Sequence, residues 1–147
     1  MINKLVVAIL FLILFAPNSK AGDFQSAAGI GFQYGIVGGQ FSYKEDLTKY
    51  YLSLGMFGGG IGFKRALEKD SKHAFGAIFV EATTFVSDHR FAGLTYNYHF
   101  NGFTDAGWVV GVSAGRIWYV NNLSPDVNDD KYEYGATINI GYQFWGL

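Results

Sequence analysis

A strict alternation of residue types near the C-terminus restricts the fold of this chain more than any other feature. From Tyr132 to Phe144 the even positions carry Tyr, Ala, Ile or Phe, and the odd positions carry Glu, Gly, Thr, Asn or Gln. This period-two pattern predicts a β-strand with one apolar face and one polar or small face. Soluble strands average about 5–6 residues, whereas a tilted strand needs about 9–11 to cross a bilayer. The length of the pattern therefore favours a membrane-spanning strand.

The same alternation recurs upstream, most clearly from Ala92 to Phe100. We predict eight strands, near residues 25–34, 37–44, 49–57, 59–66, 74–85, 90–100, 107–119 and 132–144. Eight strands predict an all-β fold, and their even number suits a closed antiparallel up-and-down barrel. Between Phe75 and Phe85 both parities are apolar apart from Glu81, so the faces of that strand are not assigned.

Composition excludes several classes of protein. The 147 residues include 20 glycines, which disfavour a helical bundle because glycine costs about 1 kcal/mol in a helix interior. The chain contains no cysteine, so it forms neither disulfides nor thiolate metal sites. Its net charge of −1 gives no basic surface for nucleic acid. We expect no nucleic-acid partner, no metal and no cofactor.

The first 21 residues predict a signal peptide. Lys4 precedes an apolar run from Leu5 to Phe15, which is shorter than the roughly 20 residues of a membrane-spanning helix. The small residues Ser19 and Ala21 fit a signal-peptidase site before Gly22. Residues 22–147 would then form the exported domain, and an uncleaved membrane anchor is the alternative.

The two faces of the predicted strands differ in a way that indicates which side is enclosed. Gly, Ser, Thr, Asn and Gln dominate the polar faces, whereas a surface in water usually carries Lys and Glu. Aromatic residues near strand ends match the girdles of membrane barrels: Tyr34, Tyr43, Tyr50, Trp108, Tyr119, Tyr132 and Trp145. The pattern favours a barrel whose apolar face meets lipid and whose polar face fills the lumen.

This pattern resembles the small eight-stranded outer-membrane β-barrels of Gram-negative bacteria, of the type of the outer-membrane protein A transmembrane domain. The most specific segment runs from Asn139 to Phe144 and looks like the family's C-terminal assembly signal, with Ile140, Tyr142 and Phe144 as its apolar positions. Here Trp145 and two further residues follow, whereas the family usually stops at the aromatic residue. The resemblance implies a monomeric transmembrane barrel in the cell outer membrane, surrounded by outer-membrane lipids and inserted by the barrel assembly machinery.

Several polar residues are expected to form a network in the lumen. These are Thr95, Asn97, His99, Glu81, Glu133, Asn139 and Gln143. An unpaired charge in a lumen is costly, so at least one charged pair is expected among Glu81, Glu133, Arg116 and Lys64.

Three functions are compatible with the sequence. The first is a non-enzymatic outer-membrane barrel with a structural or surface-interaction role. The second is a hydrolase of lipid A or phospholipid acyl chains in the same fold, for which His99, Asn97 and Ser113 offer an imidazole, a polar orienting group and a hydroxyl. The third is a soluble periplasmic barrel that binds a small apolar ligand, with its Phe, Tyr and Ile face turned inward.

Overall fold

The computed structural model of the protein describes residues 24–83, 88–120 and 132–146. The predicted signal peptide, residues 1–21, and its cleavage site before Gly22 lie outside these ranges. Within them, no helix is both long enough and apolar enough to span a membrane.

Eight antiparallel strands form a closed barrel in which each strand pairs with its neighbours in sequence and β1 pairs with β8. This confirms the all-β, up-and-down antiparallel barrel that the alternation predicts. The strands are β1 (Phe24–Gly31), β2 (Ile36–Glu45), β3 (Thr48–Gly55), β4 (Gly58–Ala66), β5 (His73–Thr83), β6 (Asp88–His99), β7 (Gly107–Val120) and β8 (Tyr132–Gln143).

The strands do not all extend equally far along the barrel, so one of its rims is uneven. We call the end where β1 begins and β8 ends the proximal end, and the opposite end the distal end. The strand β7 is 14 residues long, whereas β1 and β3 have 8 residues each. Ala27–Ile30 of β1 pair with Ile140–Gln143 of β8, and the rest of β8 extends past β1 while it stays paired with β7. The distal rim is therefore low on the β1–β4 side.

Alternate residues of every strand point outward and inward. Large apolar side chains on the outward faces are exposed, as at Leu94 (73%) and Ile138 (74%). The faces of β5, which the sequence does not assign, follow the same rule: Phe75 and Phe79 are exposed, whereas Ile78 and its even-numbered neighbours are buried.

The first predicted strand is too long. The structure ends β1 at Gly31, and residues Phe32–Tyr34 form a single turn of 3-10 helix. Gly31 (φ 117°) and Gly35 (φ 66°) flank this turn in backbone conformations that favour glycine, so the chain can bend into the barrel. Tyr34 is 2% exposed, and its predicted place in an outer girdle is wrong.

Two apolar clusters pack inside the barrel. The larger contains Tyr51, Ile78, Val80, Ala82 and Phe91, with Phe32, Ile36 and Ile117 packed against it. The smaller contains Ala66, Ala74 and Phe103. The larger cluster explains why β5 is apolar on both faces: one face packs on this cluster and the other forms the outer surface.

Candidate functional site

The remaining interior is polar, and it is the candidate functional site. Five residues predicted for the lumen lie here with at most 5% exposure: Thr95, Asn97, His99, Asn139 and Gln143. The other main members of this interior polar network are Gln25, Gln33, Gln40, Lys49, Ser53, Lys64 and Ser113. Sequence reasoning considered Lys64 only for a charged pair and Ser113 only as a catalytic hydroxyl, and it did not select the other five.

Hydrogen bonds tie the 3-10 turn to the strands around it. The backbone N–H of Gln33 donates to Asn139 Oδ1 at 3.0 Å, and Asn139 Nδ2 donates to Ser113 Oγ at 3.0 Å. Gln33 Nε2 also donates to Ser113 Oγ, at 3.3 Å. Buried polar groups need such partners, so β7 and β8 hold the turn in the lumen.

The connection between β6 and β7 folds back into the proximal end. Phe103 is 1% exposed, and its ring centre lies 5.2 Å from that of His99. Gln143 Nε2 donates to the carbonyl oxygens of Phe103 (3.1 Å) and Asp105 (2.8 Å), and Gln25 Nε2 donates to that of Thr104 (2.6 Å). These bonds close the proximal end. No periodic signal marks such a loop in the sequence.

Two lysines face each other inside the barrel. Lys49 and Lys64 occupy directly paired positions of β3 and β4 and are 2% and 5% exposed. Lys49 Nζ donates to Gln143 Oε1 at 2.9 Å and to the carbonyl oxygen of Phe103, and it lies 4.0 Å from the centre of the Phe103 ring. Lys64 Nζ donates to Gln40 Oε1 at 3.1 Å and lies 4.8 Å from the centre of the Tyr51 ring.

The predicted acidic members of the network lie elsewhere. Glu81 shares the parity of outward Phe79 and forms a 3.0 Å salt bridge with Arg90 on the outer surface. Glu133 has the inward parity of Asn139 but lies on the part of β8 that extends past β1, where it is exposed and accepts a 3.3 Å hydrogen bond from Tyr119 Oη. In the described ranges, Glu81–Arg90 is the one salt bridge, so the expected charged pair inside the barrel is not found there.

Arg116 and Lys64, the other two residues considered for that pair, also lie apart. The guanidinium carbon of Arg116 is 3.6 Å from the centre of the Tyr132 ring, so Arg116 interacts with an aromatic face. Lys64 is inside the barrel. Parity therefore assigns faces in the middle of strands, gives no assignment where both parities are apolar, and does not show which part of a strand extends past its neighbour.

The residues considered for catalysis do not form a nucleophile and base pair. Both ring nitrogens of His99 are buried without a hydrogen-bond partner, so His99 does not bond to the Ser113 hydroxyl. Ser113 Oγ instead accepts hydrogen bonds from Asn139 and Gln33. Among the described residues, no three His, Asp or Glu side chains lie close enough together to hold a metal ion.

Two residues of the predicted assembly signal, Ile140 and Tyr142, share the outward face of β8, and Phe144 follows directly after the strand. Ile140, Tyr142 and Phe144 all point outward and are 46%, 36% and 46% exposed. The Tyr142 ring also contacts Trp108 of β7, with 5.5 Å between the ring centres. Ile140, Tyr142 and Phe144 are therefore accessible from outside the barrel.

Comparison with family models, curated proteins and solved structures found no match to this chain. The function of the protein is therefore inferred from the geometry of the barrel.

Proposed function

We propose that the protein is a non-enzymatic outer-membrane β-barrel, in which lipid contacts the outer surface and the protein's own side chains fill the lumen. One observation carries the proposal: every strand presents an outward aromatic residue close to the proximal end. This aromatic girdle consists of Phe24, Tyr43, Tyr50, Phe63, Phe75, Tyr98, Trp108 and Tyr142. Aromatic rings at one level around a barrel suit a membrane–water interface.

Aliphatic side chains continue the apolar surface from the girdle toward the distal end. Among them are Ile30, Leu54, Ile61, Leu94 and Ile138, each more than half exposed. The largest apolar patch on a soluble monomer is typically about 300–600 Å² and does not encircle the molecule. A belt around the whole barrel supports contact with lipid.

The contents of the lumen argue against the two alternative functions. A soluble barrel with an apolar ligand needs a pocket of roughly 300–1,000 Å³, whereas an interior cavity lined by Lys49 and Lys64 among other residues measures about 10 Å³. The hydrolase would need a hydroxyl activated by a base, and His99 forms no hydrogen bond with Ser113. Eight strands enclose a space that side chains can fill, which suits a structural or surface-interaction role.

We further propose that export depends on the signal peptide, residues 1–21, and that β8 is the strand recognised by the barrel assembly machinery. Its outward Ile140, Tyr142 and Phe144 are accessible beside the β1–β8 closure. Outer-membrane lipids are the other expected partners, and the protein is expected to be a monomer.

Cell fractionation and gel mobility test the location. The protein should sediment with the outer membrane, need detergent for extraction, and change mobility on a gel when it is boiled. Recovery in the soluble periplasmic fraction without detergent would refute the proposal.

Site-directed labels test the two faces. The chain has no native cysteine, so single cysteines can carry a spin label or fluorophore at Leu94 or Ile138 and, as matched neighbours, at Thr95 or Asn139. Labels at the first pair should report hydrocarbon, and labels at the second pair a crowded interior. Water exposure of the labels at Leu94 and Ile138 in the membrane-bound protein contradicts contact with lipid.

A further inference from the structure

We propose that the interior of the barrel binds one halide ion between Lys49 and Lys64. These two side chains point inward from directly opposed positions of β3 and β4 and are almost fully buried. Like charges directly opposite each other destabilise a sheet, and a buried ammonium is costly unless a partner compensates it. A buried amine either loses its proton or gains a compensating partner, so the two lysines stay charged together only with a negative charge nearby.

No carboxylate of the described residues supplies that charge. Their single salt bridge joins Glu81 to Arg90 on the outer surface. Asp105 interacts electrostatically with Lys49 but is exposed and forms no salt bridge. His99 is the other titratable group that interacts with both lysines, and protonation of its ring would only add positive charge.

The volume of the cavity that both lysines line limits the size of the anion. Both line a cavity of about 10 Å³, together with Gln40, Ser42, Tyr51 and Gln143. Such a volume holds roughly one water-sized body. A monatomic anion fits, whereas phosphate or a carboxylic acid does not.

The cavity also presents hydrogen-bond donors without acceptors. An ammonium has three N–H donors, and within the described ranges Lys64 donates to the side chain of Gln40 alone. Tyr51 lines the same cavity, and its buried hydroxyl has no hydrogen-bond partner among the described residues. A halide can accept from both groups and also supplies one negative charge close to the two lysines, which a water molecule cannot do.

Bromide is the probe, because it scatters anomalously and resembles chloride in size. The full-length mature protein is refolded in detergent with sodium bromide or, at equal ionic strength, with sodium gluconate. We expect an anomalous peak between Lys49 and Lys64 in crystals grown with bromide. We also expect an unfolding midpoint that rises and saturates with bromide, as for a ligand that binds only the folded state.

Two variants separate this site from general effects of salt. Lys64→Gln should abolish the bromide dependence, whereas Arg65→Gln should retain it, because Arg65 is the next residue and its side chain is exposed on the outer face. If Lys64→Gln does not fold, the bromide crystal of the wild type decides. Bromide peaks only outside the cavity, or equal bromide dependence in Lys64→Gln and the wild type, overturn the proposal. These outcomes concern the interior and do not depend on what covers the outer surface.

Discussion

Tyr34 shows at the scale of single residues how the lumen is filled. A Cβ atom on Gly29 would lie 2.8 Å from a carbon of the Tyr34 ring, and one on Gly141 would lie 2.5 Å from its Cζ. The ring therefore occupies space that glycines of β1 and β8 leave open. In the sequence Tyr34 simply continues the alternation of Ile30 and Phe32, so periodicity places it outside, and only the turn after Gly31 brings it in.

Replacing Tyr34 with alanine should reduce the free energy of unfolding by about 3–5 kcal/mol, because it removes a large buried ring and leaves a cavity. Tyr134→Ala is the matched control, since Tyr134 is 80% exposed and its loss should change stability by no more than about 0.5 kcal/mol. Denaturant unfolding of both variants in detergent measures the difference. Equal losses in the two variants would contradict the interior position of Tyr34.

At the scale of elements, the strands are more predictable than the connections. Alternation identified most of the eight strands because inward Gly, Thr and Asn contrast with outward Leu and Tyr, as in β6, whereas β5 was predicted as a strand without assigned faces. The loop from Phe100 to Ala106 has no such contrast. Its place in the lumen depends on bonds from Gln25, Lys49 and Gln143, residues distant in sequence, and short-range patterns cannot reveal these contacts.

Phe103→Ala should release this loop from the proximal end. The backbone N–H of Phe103 donates to the carbonyl oxygen of Ser71 at 3.0 Å, and hydrogen exchange can follow the protection of that amide. We expect faster exchange across residues 101–106 and a loss of about 3–5 kcal/mol in unfolding free energy. Phe100→Ala, at a position that is 50% exposed, should leave the protection unchanged. Unchanged protection in Phe103→Ala would show that the side chain does not hold the loop.

The whole molecule has an inverted distribution of side chains. Lysines, amides and a histidine lie inside, whereas Leu94 and Ile138 are among the most exposed residues on the outside. Charge-poor polar faces in the sequence predict this inversion. They do not predict the two facing lysines, because Lys49 and Lys64 become neighbours only through the register of β3 with β4.

Arginine substitutions on the outer surface distinguish lipid from water as the surroundings of the barrel. Leu94→Arg and Ile138→Arg place a charge on the aliphatic belt, where lipid exposure near mid-bilayer should cost about 2–4 kcal/mol of folding free energy. Tyr134→Arg, nearer the distal tip of β8, should cost only about 0–1 kcal/mol, because the penalty falls toward the interface. Refolding into lipid vesicles measures all three variants. In water each of these exposed positions should tolerate arginine within about 0.5 kcal/mol. A cost near zero at all three positions in vesicles would therefore contradict a membrane-spanning barrel. A cost at Leu94 and Ile138 that is absent at Tyr134 would instead locate the hydrocarbon layer between the aromatic girdle and the distal tip of β8.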